Sequence, residues 1–410
     1  MNIRRSAAAL AAVAAVIGAP ASAVAATPSP SASTAPARPA GLYGSTDPTY
    51  DGVWRQSLAL LAQHTVGVRP AAQAVSWLAG QQCANGAFAA YRAEPSAACD
   101  DRTAVDTNST AAAVQALAAL GGHEAATGKA VTWLKSVQNE DGGWGYTPGD
   151  PSDANSTSLV VGALAAVGEK PDAVVKDGTS PYDALLAFAL PCSGDDGGAF
   201  AYQPDKKGTL TANADATAAA VVAALGQGLA AEAGTGPAST TCSGSGTATP
   251  ARAAANGAAY LARAVAATGH LTSALPGADD QPDYGNTADA VVALAAQGGP
   301  EAARTPLRWL EEHAAAWAEK SGPAAWAQLV FAAHATGTDP RDFGGVDLVA
   351  ELDATGPAPA ATGPAGAPGT TDGDGGDGHT TAWIAGGVGA VVVVGGGALL
   401  AARRRTGRQP

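Results

Sequence analysis

Hydrophobic and polar residues between positions 47 and 353 recur in blocks of about 50 residues, a period typical of repeat architectures. One kind of block opens on a polar residue, at Asn108, Asn155, Asn213 and Asn286. In the first three of these blocks apolar residues follow six, nine and twelve positions later, and a glycine follows at the thirteenth. This spacing predicts an amphipathic inner helix that begins at an Asn N-cap and ends at a Gly.

A second kind of apolar block precedes each polar loop and predicts an outer helix. These blocks are residues 74–82, 130–138, 181–190, 258–267 and 306–319. Further helices are predicted at 54–64, 324–335 and 346–352, which gives twelve helices in six pairs. Six pairs can close into a ring, and closure removes the polar end caps that an open solenoid needs. The sequence therefore predicts an all-α fold, an (α/α)6 toroid, over residues 47–353.

The composition agrees with a helical fold. Hydrophobic residues make up 46% of the 410-residue chain but aromatic residues only 5%, so most apolar side chains are small aliphatic ones that suit close helix packing and argue against an all-β fold. The net charge is −13 and the basic residues form no stripe, which excludes nucleic acid as a partner. No metal and no cofactor are predicted, because no paired ligand spacing joins the six His: His64, His123, His270, His313, His334 and His379.

Both ends of the chain have the composition of targeting segments. Residues 1–26 combine Arg4 and Arg5 with an apolar stretch and small residues at a cleavage site, which predicts a secretory signal peptide. Residues 382–402 form an uncharged apolar run long enough to cross a bilayer, and the tail 403–410 is basic. By the positive-inside rule we expect a single-pass protein of the cell membrane with its repeat domain outside the cell.

Two segments of low apolar content separate the repeats from these ends. Residues 27–46 are rich in Pro, Ser and Ala, and residues 354–381 are rich in Gly, Pro and Asp, so both are predicted linkers. An apolar run followed by Arg also resembles a sortase signal, and residues 352–356 and 359–363 partly match its pentapeptide. Covalent attachment to the cell wall therefore stays open as an alternative.

Four Cys occur in a chain predicted to be exported, where disulfide bonds form and persist. Local pairing of Cys83 with Cys99, and of Cys192 with Cys242, would close two long polar loops. Four Cys nevertheless allow three connectivities.

Two turns after outer helices share a Gln, a Gly and an aromatic residue at one spacing: Gln82, Gly86 and Phe88, then Gln138, Gly142 and Trp144. The amide can satisfy backbone groups at a helix end, the Gly permits a positive φ, and the ring covers the junction between repeats. These residues are predicted to be structural. The segment 138–145, QNEDGGWG, resembles the QW motif of the squalene cyclase and prenyltransferase repeat family, whose members are α/α toroids.

This resemblance implies triterpene cyclisation, protein prenylation or cobalamin carriage. Each of the first two activities depends on a characteristic sequence motif. Triterpene cyclases protonate the substrate through a DxDD motif, and protein prenyltransferases hold zinc with an Asp-x-Cys pair; this sequence contains neither motif. Asp279, Asp280 and Asp283 fit the DDxxD pattern by which other isoprenoid enzymes hold magnesium and diphosphate. Pro282 places that pattern in a loop, where an acidic turn also explains it.

Eight acidic and amide residues lie at the predicted starts of inner helices, which in a toroid share one rim of the central cavity. They are Asp106, Asn108, Asp153, Asn155, Asn213, Asp215, Asn286 and Asp289. Two carboxylates in such a ring could act as acid and base on a glycan. Asn and Asp are also the favoured N-caps, an interpretation that explains all eight without catalysis.

An intact repeat without the known catalytic motifs favours a binding or scaffold module over an enzyme. Its partners would be the membrane, through the C-terminal helix, and the cell wall or an apolar small molecule. The alternative hypothesis is an isoprenoid-active enzyme of the terpene cyclase or prenyltransferase type, and a glycan-active enzyme comes after it.

Overall fold

The computed structural model describes residues 39–244, 248–273 and 281–361. These residues contain thirteen α-helices and a 3-10 turn, Pro171–Ala173. Six helices form an inner set: α1 (Gly52–Thr65), α3 (Thr107–Leu120), α5 (Ala154–Ala166), α7 (Ala214–Ala224), α9 (Tyr284–Gly298) and α12 (Pro323–Thr336). Seven form an outer set: α2 (Ala72–Gly80), α4 (Glu124–Ser136), α6 (Pro181–Ala187), α8 (Pro250–Ala264), α10 (Pro300–His313), α11 (Ala315–Ser321) and α13 (Leu348–Ala354).

The inner helices form a closed ring. α1 packs against α3, and each inner helix packs against the next one along the chain, through α5, α7 and α9 to α12. α12 then packs back against α1, so the first and last members close the circle. Outer helices alternate with the inner ones along the chain, except that two outer helices, α10 and α11, stand between α9 and α12. The domain is therefore an α/α toroid, as the sequence predicts.

Small side chains dominate the inner helices because each has a neighbour on both flanks and an outer helix behind it. In α3, for example, every residue from Ala111 to Leu117 is buried. Burial on nearly all sides explains why these segments are Ala-rich runs and not narrow apolar stripes.

The prediction of twelve helices is wrong by one. The outer segment predicted at 306–319 is divided between α10 and α11, with Ala314 between them. The His313 ring donates from Nδ1 to the Trp309 carbonyl oxygen at 2.8 Å. The interruption is confined to Ala314, whose backbone N–H still donates to the Leu310 carbonyl at 2.9 Å.

Short antiparallel strand pairs, absent from the all-α prediction, lead into three inner helices. They are β1 (Phe88–Ala89) with β2 (Val105–Asp106), β3 (Phe200–Ala201) with β4 (Ala212–Asn213), and β5 (Leu271–Thr272) with β6 (Pro282–Asp283). The last residue of each second strand is the N-cap of the inner helix that follows. The strand pairs therefore fix where these helices begin.

In four repeats a Thr joins the first turn of the inner helix to the preceding turn by a hydrogen bond. Its hydroxyl oxygen accepts a hydrogen bond from the backbone N–H of the aromatic or apolar residue in the preceding turn, at 2.9–3.0 Å. The pairs are Thr110 with Phe88, Thr157 with Trp144, Thr217 with Phe200, and Thr287 with Leu271. Since each Thr stands four residues after an N-cap, it gives the structural alignment of the repeats.

The Gln of the shared turn connects neighbouring repeats. Gln82 Nε2 donates to the Gly86 carbonyl at 3.0 Å and to the Ala126 carbonyl, in α4 of the next repeat, at 2.8 Å. Gln138 makes the equivalent bond to the Gly142 carbonyl at 2.8 Å. The sequence assigned these amides to a helix end, whereas the structure places them across the turn and between repeats.

Both disulfide bonds have the local pairing, Cys83 with Cys99 and Cys192 with Cys242. They join residues 16 and 50 positions apart in the sequence. Each closes one of the long polar loops and restricts the unfolded chain.

Within the ranges described, no helix has both the length and the apolar character needed to span a membrane. The predicted signal peptide 1–26, the predicted span 382–402 and the basic tail 403–410 lie outside those ranges, as do most of the linkers 27–46 and 354–381.

Candidate active site

The polar residues at the inner-helix starts fall into two groups. Asp106, Asp153 and Asn213 are N-caps, and Asp283 caps α9 in the same way. Capping therefore accounts for three of the eight predicted rim residues. It is wrong for the five that lie within the helices: Asn108, Asn155, Asp215, Asn286 and Asp289.

The alignment of the repeats on their Asn residues is also corrected. Asn213 is a cap, whereas Asn108 occupies the second position of its helix. The true equivalents of Asn108 are Asn155 and Asp215, and α9 has Gly285 at this position. An alignment on Asn fails because either Asp or Asn can be the N-cap. The Thr four residues after the N-cap marks the repeat instead.

A cavity of about 360 Å³ occupies the ring. First-turn side chains line its mouth, namely Asn108, Asn155, Asp215 and Asn286, and Asp289 lies one turn further along α9. Apolar side chains form much of the wall: Leu58, Leu159, Ala218, Ala219, Val222, Val292 and Phe331. The volume is near the lower end of the range for small-molecule sites, about 300–1,000 Å³.

The far end of the cavity is closed by the chain itself. Residues 227–234, which we call the floor segment, follow α7 and extend beneath the ring. Gln115 holds this segment, since its Oε1 accepts from Leu229 N at 2.8 Å while its Nε2 donates to the Leu159 carbonyl at 3.1 Å. Further along, Gly234 N donates to the Ala295 carbonyl of α9 at 2.9 Å. The cavity is therefore a cup that opens on the rim side.

Asp289 differs from the residues at the equivalent position of the other three aligned inner helices. Six residues after the N-cap, the other three aligned helices carry Ala112, Leu159 and Ala219. α9 alone of these four places a carboxyl there. Local helix formation does not require it, because the N-cap role in α9 belongs to Asp283.

The surroundings of Asp289 keep its carboxyl protonated to unusually high pH. Burial, and next the charge of Asp215, raise the pKa of Asp289 from 3.8 to about 7. Gln328 Nε2 donates to its two oxygens at 3.2 and 3.3 Å, which lowers the pKa by less. Near neutral pH this side chain is thus present both as an acid and as a carboxylate.

Asp215 is the second carboxyl of the cup. Burial is the largest cause that raises its pKa, and the charges of Asp283 and Asp153 add to it. The opposing contribution comes from Asn155, whose Nδ2 donates to Asp215 Oδ2 at 2.5 Å. Two coupled carboxyls with different neighbours are the arrangement that separates an acid from a base.

The structure describes one of the three predicted DDxxD residues. Asp279 and Asp280 lie outside the described residues, and Asp283 is the N-cap of α9. Within the described part of the chain, no group of three or more His, Cys, Asp or Glu could hold a metal ion.

Sequence reasoning missed several residues of the site. Gln328 and Trp54 line the cavity from α12 and α1, helices that lack the Thr of the aligned repeats. The floor segment was not expected either. The sequence contained one signal for the site, the Thr that stands four residues after each N-cap. An alignment of the repeats on this Thr would have shown that Asp289 occupies a position where the other three repeats have Ala or Leu.

Comparison with known proteins agrees with this architecture. Residues 48–223 match the profile of the prenyltransferase alpha-alpha toroid domain family. The resemblance to the squalene cyclase and prenyltransferase repeat family is confirmed. The matched region covers α1 to most of α7 and stops short of Asp289.

Among individual proteins, the drimenyl diphosphate synthase of Streptantibioticus cattleyicolor is 41% identical over 80 residues, which is 20% of this chain and 13% of that protein. The ent-copalyl diphosphate synthase from Streptomyces platensis has 18% identity and a TM-score of 0.45, covering 70% of this chain and 50% of that one. The type II terpene cyclase MstE from Scytonema has 15% identity and a TM-score of 0.44, and the match covers 66% of this chain and 72% of that one. The chain thus spans a small part of the first of these proteins and half of the second.

Proposed function

We propose that the toroid domain is an isoprenoid-active enzyme that rearranges its substrate by proton transfer, with Asp289 as the general acid. One observation carries the proposal: a carboxyl whose pKa is raised to about 7 by burial and by Asp215 lines a cup with a largely apolar wall. General acids work best when their pKa lies near the working pH. The apolar wall would hold the hydrocarbon chain against the acid.

The proton transfer is balanced within the site. The O–H bond of Asp289 breaks and its proton adds to one carbon of a substrate double bond, whose π electrons form the new C–H bond. The carbocation left on the other carbon can be attacked by a second double bond, which closes a ring. Loss of a proton from a neighbouring carbon to the Asp289 carboxylate restores the acid, so substrate and product are isomers. Asp215 would stabilise the positive charge.

The similarity over 80 residues supports an isoprenoid as the substrate class, because that relative is named as a drimenyl diphosphate synthase. This finding favours the enzyme hypothesis over the non-catalytic binding or scaffold module that the missing DxDD motif had favoured. In the proposed enzyme the acid comes from Asp289, which no DxDD search would find.

A product assay tests the proposal. The purified full chain is incubated with geraniol, farnesol, geranylgeraniol and their diphosphates, and extracts are searched by gas chromatography and mass spectrometry for isomers of the substrate. We expect an isomer from the wild-type chain and a loss of about 100-fold or more in Asp289→Asn. Asp177→Asn is the matched control, since Asp177 is exposed on a turn with a positive φ that Asn also tolerates. Product formation that survives Asp289→Asn would contradict the role of this acid.

We propose further that the domain works outside the cell, anchored by residues 382–402. The two disulfide bonds support this location, because they persist in oxidising compartments. Protease added to intact cells should digest the domain if it is exported. Protection until the cells are lysed would contradict this.

A further inference from the structure

The polar groups at the mouth of the cup are unbalanced in charge. Its described lining contains Asp215 and Asp289 and no Lys, Arg or His. A ligand group with several negative charges would meet only like charge here, in surroundings that weaken the screening by water.

The mouth is also unbalanced in hydrogen bonding. Two of its three Asn amides use their N–H groups within the protein, since Asn155 Nδ2 donates to Asp215 at 2.5 Å and Asn286 Nδ2 donates to Asp283 at 2.8 Å. The side-chain oxygens of Asn108 and Asn155 are buried and accept no hydrogen bond from the residues that the structure describes. Acceptors without partners are uncommon in folded proteins, and they call for a donor.

Two polar side chains deeper in the cup already have hydrogen-bond partners within the protein. Ser158 Oγ donates to the Ala154 carbonyl of its own helix at 2.6 Å, and both ends of the Gln115 amide are bonded to backbone. The demand for a donor therefore lies at the mouth, while the wall below it accommodates an apolar chain.

We infer that the mouth binds the hydroxyl group of an isoprenoid alcohol and excludes the corresponding diphosphate. The inference rests on the proposed function and specifies its substrate. The hydroxyl hydrogen would be donated to the free acceptors around Asp215, and the hydrocarbon would extend toward Val292 and Phe331. An alcohol supplies a donor without bringing a negative charge to the carboxylates.

Binding measurements on the full chain test this inference. Intrinsic tryptophan fluorescence is titrated at neutral pH in EDTA with farnesol, farnesyl diphosphate, β-farnesene and farnesylamine. We expect farnesol to bind about 100-fold or more tightly than farnesyl diphosphate and about 10-fold or more tightly than the hydrocarbon β-farnesene, which cannot donate. Asp215→Asn should raise the affinity for the diphosphate by about 10-fold. Asp177→Asn should leave all affinities unchanged.

Three results would overturn the inference while leaving the proposed function in place. They are diphosphate binding as tight as that of farnesol in EDTA, diphosphate binding restored to that level by Mg²⁺, and farnesylamine binding about 10-fold tighter than farnesol, which would assign a cationic head group. If none of the four compounds binds, the isoprenoid function itself fails and the inference fails with it.

Discussion

The Asp289→Asn variant is expected to be more stable than the wild-type chain above pH 7. The folded protein holds the Asp289 proton up to a pKa of about 7, whereas the model value for an unfolded Asp is 3.8. Between these values the folded state binds more protons than the unfolded state, so the stability contributed by this group falls as the pH rises. The shift corresponds to a penalty of at most about 4 kcal/mol above pH 7, which Asn removes because it carries no charge.

Urea denaturation of both chains at about pH 4 and at about pH 8 measures this effect. At the lower pH Asp289 is protonated in the folded state and about half protonated in the unfolded state, so little of the penalty remains and the free energies of unfolding should be nearly equal. At the higher pH the variant should be more stable. Asp177→Asn should show no such change, because Asp177 is exposed. A variant that is less stable than the wild type at the higher pH would show that the carboxylate is stabilised in the fold.

Replacing Trp144 by Ala is expected to cost about 3–5 kcal/mol of unfolding free energy. The Trp144 side chain is fully buried, and its indole Nε1 donates to the Leu134 carbonyl at 2.8 Å. The variant would lose this bond and leave a cavity between repeats. Since every inner helix needs both neighbours to close the ring, we expect the loss to lower the stability of the whole domain.

Trp144→Phe is the matched control. Phe88 and Phe200 occupy the equivalent position in two other repeats, where each donates its backbone N–H to the Thr of the next inner helix. The ring should therefore fit, and the cost should be limited to the lost indole bond and its unpaired acceptor, about 1–3 kcal/mol. Urea unfolding of the two variants compares these costs. Equal losses in both would show that the bond to Leu134, and not the packing, holds the junction.

The Asp289 prediction bears on function as well as stability. A buried carboxyl next to another carboxyl weakens the fold at neutral pH, and residues that are costly to the fold concentrate in active sites. The aligned repeats show that Ala or Leu can occupy the position equivalent to Asp289. Activity that disappears in a stabilised Asp289→Asn variant could not be attributed to unfolding.

Periodicity located every helix of the ring because the helices bury their apolar residues against predictable neighbours. The Asn and Gly signals gave helix ends within a few residues, and the QW-like turn gave the family. The apolar pattern did not show the interruption at Ala314 that divides α10 from α11.

The sequence by itself determined the repeat and the toroid, because these follow from spacings within single repeats and from contacts between adjacent ones. It suggested local disulfide pairs but left three connectivities open, and the structure decided between them. Only the tertiary structure decided the site. Asp215, Asp289 and Gln328 come from three different helices, and closure of the ring brings them to one cavity. The raised pKa of Asp289 likewise depends on burial and on Asp215, 74 positions away in the sequence. No local pattern encodes such a distance, so the residues that cap helices could be told from those that line the cavity only once the helices were in place.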